Sequence, residues 1–102
     1  MAMFARVKPL ELDGTPHTGR IEAGGVAVYS CEVSKKGRYR FHSRAEVILI
    51  LELGDDPGNI IARKSGRECE ITATLAAGPY FVSLSGATIR TEGDYELTGV
   101  RV

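Results

Sequence analysis

The groups with which this chain could do covalent chemistry are few: two histidines, His17 and His42, two cysteines, Cys31 and Cys69, and scattered serines. A nucleophilic mechanism needs a Ser or Cys beside a base that a third group orients. His42 lies in "GRYRFHS" (37–43), on the side of that run shared with Arg38 and Arg40, and no G-x-S-x-G motif is present. "SLSG" (83–86) resembles a serine turn only superficially, since hydroxyls are common where a strand meets a loop. The chain is therefore read as non-enzymatic. Two cysteines do not make a disulfide framework, and Cys31 and Cys69 are too far apart in sequence for a short-spaced zinc motif. Buried free thiols are the preferred reading, with pairing left open.

Binding offers more. Phe81 has the opposite parity from Tyr80 and Val82, and Ser83 and Ser85 share its side. It faces either solvent or a second layer. It is the best surface anchor in the sequence, because aromatic residues dominate interface energetics. Arg38, Arg40 and His42 complete the candidate ligand-binding set. "GDDPGN" (54–59) supplies oxygen donors from Asp55, Asp56 and Asn59. Calcium, which takes six to eight oxygens, would need more, and Glu92 and Asp94 add to the set only if their loop converges on this one. Turn residues facing water are the simpler account. No cofactor is expected, with calcium as the one alternative.

Positioning these groups requires extended segments. Period-two runs bounded by turn residues mark strands packed on one face. "GGVAVYSCEV" (24–33) sends Ala27, Tyr29, Cys31 and Val33 to one side, and "GRYRFHS" sends Tyr39 and Phe41. "CEITATL" (69–75) aligns Cys69, Ile71, Ala73 and Leu75, "PYFVSLS" (79–85) aligns Tyr80, Val82 and Leu84, and "GDYELTG" (93–99) aligns Tyr95 and Leu97. No stretch has apolar residues at helical spacing. "EVILILEL" (46–53) is apolar on both parities, as a central strand covered on both sides would be. An exposed apolar stripe is the alternative, and would mark a partner surface. Gly37 in "SKKGRY" is expected at positive φ in a hairpin loop. The pattern predicts an all-β, two-sheet, jelly-roll-like sandwich of about eight mostly antiparallel strands. One domain spans 1–102, with 1–16 as an N-terminal extension or edge strand.

Composition narrows the partners. Thirteen Lys and Arg balance thirteen Asp and Glu, so no net field draws the chain to nucleic acid. The densest basic group, "KKGRYR" (35–40), reads as a solvated turn. The longest apolar run, "VILIL" (47–51), is far short of the ~20 residues of a membrane span. "MAMFARVKPL" lacks the features of a secretory signal. A complete chain would thus be cytoplasmic, whereas a domain cut from an exported protein would be extracellular, and the sequence leaves that open.

The order of elements carries a resemblance. A "VYSCEV" strand, "GRYRF", an aliphatic strand ending in "GDDPGNIIA", "ITATLAAGPYFVSLSG" and "GDYELTGV" follow one another. Over roughly residues 17–102 this is similar to the bacterial pre-peptidase C-terminal domain family, to which the collagen-binding domains of bacterial collagenases are related. Leu75, Gly78, Tyr80, Phe81, Val82, Gly93, Tyr95 and Leu97 sit where that pattern asks. Only Glu46 stands where many members carry several acidic residues, and Cys31 occupies a core position often held by phenylalanine. The resemblance implies a non-catalytic accessory module that binds protein or polysaccharide, or assists an attached secreted enzyme. The alternative is a free-standing assembly protein that oligomerises through a sheet edge or apolar sheet face.

Overall fold

A computed structural model describes residues 7–56 and 59–102, with the side chain of Asp56 excepted. The described residues form seven strands and no helix. These are β1 (Val7–Pro9), β2 (His17–Ile21), β3 (Val26–Val33), β4 (Gly37–Asp56), β5 (Asn59–Leu75), β6 (Gly78–Gly86) and β7 (Gly93–Arg101). All belong to one sheet ordered β1-β3-β6-β4-β7-β2, with β5 paired to β4. Every pairing is antiparallel except β1 with β3.

The sheet closes over itself because β4 is long enough to serve both layers. Its first part, Tyr39–Ala45, pairs with β7, and its later part, Leu49–Gly54, pairs with β6. β5 follows it along both parts, with a register shift between Arg44 and Leu49. One layer is thus β1, β3, β6 and the ends of β4 and β5 that adjoin their connection. The other is β2, β7 and the remaining halves. The all-β expectation holds, in seven strands of one curled sheet rather than about eight, with two long strands shared between its halves. A thickness of 20 Å, against 38 and 30 Å in the other directions, has room for two layers and the single core between them.

That core is the inward parity of each run. Tyr29, Cys31 and Val33, then Tyr39 and Phe41, then Leu49, Leu51 and Leu53, are buried with Ile71, Val82, Leu84, Tyr95 and Leu97. Leu51 and Val82 are inaccessible to solvent, so truncating either to alanine removes packing on every side. Such a change costs about 2–5 kcal/mol for a leucine. Both cysteines are buried and free.

Two tyrosines fix the chain where it reverses. The Tyr39 hydroxyl donates to the Lys35 carbonyl at 2.8 Å, and the Tyr80 hydroxyl donates to the Ala76 carbonyl at 2.9 Å. Each sits just after a turn, fills the core with its ring and ties its tip back four residues. Gly78 opens β6 at φ +146°, a conformation open to glycine and strained for other residues. Gly37 corrects the sequence reading, since it is not among the glycines at positive φ and is already the first residue of β4.

The outer side of "EVILILEL" also departs from expectation. β4 is central, yet Ile48 is 47% exposed and Ile50 is only half-buried, so among the described residues no segment covers that side. Of its two outward isoleucines only Ile48 is exposed, so the run is neither covered along its whole length nor an open apolar stripe.

Candidate functional site

The sheet order decides which outward side chains become neighbours. Register sets Val26 beside Ser85, Val28 beside Ser83 and Ser30 beside Phe81 across β3 and β6. Across β6 and β4 it sets Ser85 beside Ile50, Ser83 beside Glu52 and Phe81 beside Gly54. Outward residues from four strands therefore meet around Phe81. Gly54 has no side chain, and the place it leaves open is flanked by the Phe81 ring and Ile60 of β5.

The result is a shallow depression of about 220 Å³, lined by Val26, Val28, Gly54, Ile60, Phe81 and Ser83, with Glu52 at its margin. Glu52 is held there by Arg63, whose Nε donates to the carboxylate at 2.6 Å. Phe81 is half-buried, while Val26 and Ile60 remain 50% and 44% exposed. An apolar floor with an ion pair on one border can take an apolar side chain of a partner and orient a polar group next to it.

Arg38, Arg40 and His42 stand elsewhere. They lie on the first half of β4, opposite Thr74, Thr72 and Glu70 of β5, on the outer face of the other layer. The structure brings these three together with one another but not with Phe81. Two of the three meet acidic side chains: His42 Nε2 is 2.9 Å from Glu68, and Arg40 is 4.0 Å from Glu70. This face is polar, with basic side chains of β4 set beside Thr and Glu side chains of β5.

Asp55 and Asn59 meet across the β4–β5 connection, where the Asn59 amide donates to the Asp55 carboxylate at 2.6 Å. The Asp56 side chain lies outside the described residues. Glu92 and Asp94 do not join them. Both face Arg20, which contacts Asp94 at 3.5 Å and Glu92 at 3.9 Å, and Asp94 lies near Ala45 in the middle of β4, about ten residues from Asp55. Among the described residues, no three His, Cys, Asp or Glu side chains cluster as metal ligands would. His17 sets its ring edge against Tyr29, with centroids 5.8 Å apart. Among the described residues, neither histidine hydrogen-bonds to a serine or cysteine.

Val26, Val28, Glu52 and Ile60 were not singled out from sequence. Their outward parity was readable for Val26 and Val28. Their convergence on Phe81 was not, because it depends on strand order.

No family model matches this sequence, and no curated protein matches it. Solved structures do. The chain is similar to the pre-peptidase C-terminal domain of a collagenase from Bacillus anthracis, with a TM-score of 0.82 at 19% identity, over 97% of this chain and 99% of that one. It is also similar to PliG of Aeromonas hydrophila, a periplasmic inhibitor of g-type lysozyme, with a TM-score of 0.70 at 17% identity, over 92% and 94% of the two chains. A third similar structure is the Yersinia pseudotuberculosis-derived mitogen, with a TM-score of 0.67 at 13% identity, over 90% and 88%. The fold is that of the pre-peptidase C-terminal domain.

Proposed function

We propose that this chain is a non-catalytic binding module that holds a protein or polysaccharide against the outer face of β3, β6 and β4, with Phe81 as its anchor. The observation that carries this reading is the apolar depression around Phe81 on a face that is otherwise open. Aromatic and aliphatic floors rimmed by polar groups are typical of recognition surfaces. Fold likeness supports the class: one similar structure is an inhibitor of g-type lysozyme, and another is a pre-peptidase C-terminal domain of a collagenase. The whole chain acts as one domain in this reading, and any attached enzyme would supply the chemistry.

The test is a titration of isotopically labelled chain, followed by NMR, with g-type lysozyme, collagen-derived peptide and peptidoglycan fragments as probes. Shift changes should centre on Val28, Gly54, Phe81 and Ser83 for at least one probe. Changes centred on Arg40 and His42, or none with any probe up to about 1 mM, would reject this surface.

A further inference from the structure

The longest free edge of the sheet belongs to β5. One side of its 17 residues follows β4 almost throughout, while the other meets no strand among the described residues. The remaining edges, β1 and β2, are three and five residues long. A long unpaired edge exposes a row of N–H and C=O groups that can template another strand, and proteins commonly blunt such edges with like charges or prolines. β5 contains no proline, and its charges are sorted rather than uniform. Arg63, Lys64 and Arg67 come first, and Glu68 and Glu70 follow.

In an antiparallel pair of identical strands, the first half of one lies along the second half of the other. Basic residues then meet acidic ones on both sides of the two-fold axis. We propose that this edge is the docking site for a second copy of the same chain, β5 against β5, with the axis passing between Gly66 and Arg67.

Side-chain direction supports that position. Before the axis, Arg63 and Ser65 point outward, opposite Glu52 and Ile50 of β4. After it, Glu68 and Glu70 point outward, beside His42 and Arg40. Parity therefore changes at Gly66, which lies at φ +151° where β5 passes from one layer to the other. With the axis placed there, outward residues of one copy meet outward residues of the next. Arg63 lies beside Glu70, Ser65 beside Glu68, and Ala62 beside the core-facing Ile71. An axis along the sheet normal also carries the bend of one strand onto the bend of the other, so both curve the same way.

Sedimentation equilibrium and concentration-dependent amide exchange on the whole chain test this. The mass should rise with concentration from 11.0 kDa toward twice that value, and β5 amides should gain protection as it rises. Arg63→Glu and Glu70→Arg should each weaken association by about tenfold or more. Both changes in one chain should restore it to within a few-fold. Circular dichroism confirms that each variant is folded. The proposal is overturned by a mass that stays at 11.0 kDa up to about 1 mM, by a dimer indifferent to the two reversals, or by protection that appears on β3 and β6 instead.

Discussion

The hydroxyl oxygens of Tyr29 and Tyr95 lie 2.7 Å apart in the core, joining β3 of one layer to β7 of the other. The rings meet edge to face, with centroids 6.5 Å apart. Both side chains are buried, so each hydroxyl depends on the other in place of water. Tyr95→Phe leaves the Tyr29 hydroxyl without that partner and should destabilise the fold by about 1–3 kcal/mol. Adding Tyr29→Phe should return part of the loss, because no polar group is then stranded. Urea unfolding of the two single variants and the double variant checks this, and simple additivity would contradict it.

That arrangement depends on a residue with no side chain. Gly19 of β2 is paired with Tyr95, and a Cβ on Gly19 would lie 2.7 Å from Tyr95 Cζ. The ring cannot swing aside without leaving Tyr29. Gly19→Ala should therefore cost about 1–3 kcal/mol by overpacking, and the loss should shrink when Tyr95 is replaced by a smaller residue. An undiminished loss in that background would place the strain elsewhere.

Alkaline pH should weaken the fold in a defined window. Burial pushes the Cys31 thiol from its ordinary 9.0 up to about 11, with Glu32 adding to the shift. Below pH 9 the thiol is neutral whether the chain is folded or not, so it contributes no pH dependence there. Between pH 9 and 11 the unfolded chain loses its proton first, and stability falls by at most about 3 kcal/mol. Burial and the Tyr29 hydrogen bond raise Tyr95 too, extending the loss above pH 10. Cys31→Ala should flatten the curve between pH 9 and 10 and leave the steeper loss above it.

These contacts show which features of the chain are local. Parity alone sorted Tyr29, Phe41, Val82 and Tyr95 inward and Phe81 outward, because side-chain direction alternates with sequence position. Strand order is not local. That Phe81 would face Gly54 and Ile60, and that Arg40 would occupy the opposite outer face, follows from β4 and β5 crossing between layers. Nothing in the run "EVILILEL" marks where that crossing falls. Its apolar outer parity suited a covered strand as well as an open one, and only the placement of the remaining strands distinguishes them.

The Asp55–Asn59 contact bears on calcium. An amide donor engages one of the two Asp55 carboxylate oxygens, and Glu92 and Asp94 are engaged by Arg20 elsewhere. The melting temperature should be the same in excess calcium and in chelator. A ligand present at a hundred times its dissociation constant would add about 2.7 kcal/mol and a clear upward shift, so a rise of several degrees would restore the metal site.

Phe81 and Val82 are adjacent in β6 and should separate binding from folding. Val82 has no accessible surface, and Val82→Ala should lower stability by about 1–3 kcal/mol through the space it leaves in the core. Phe81 lies on the outer face and is only partly buried, so Phe81→Ala forfeits fewer contacts than a change in the core. Its stability cost should be the smaller of the two, about 1 kcal/mol. Affinity should follow the opposite order: Phe81→Ala should weaken capture of whichever probe shifts this face by tenfold or more, whereas Val82→Ala, measured where it remains folded, should leave it nearly unchanged. Equal losses of affinity would mean that binding follows overall integrity and that Phe81 is not its anchor.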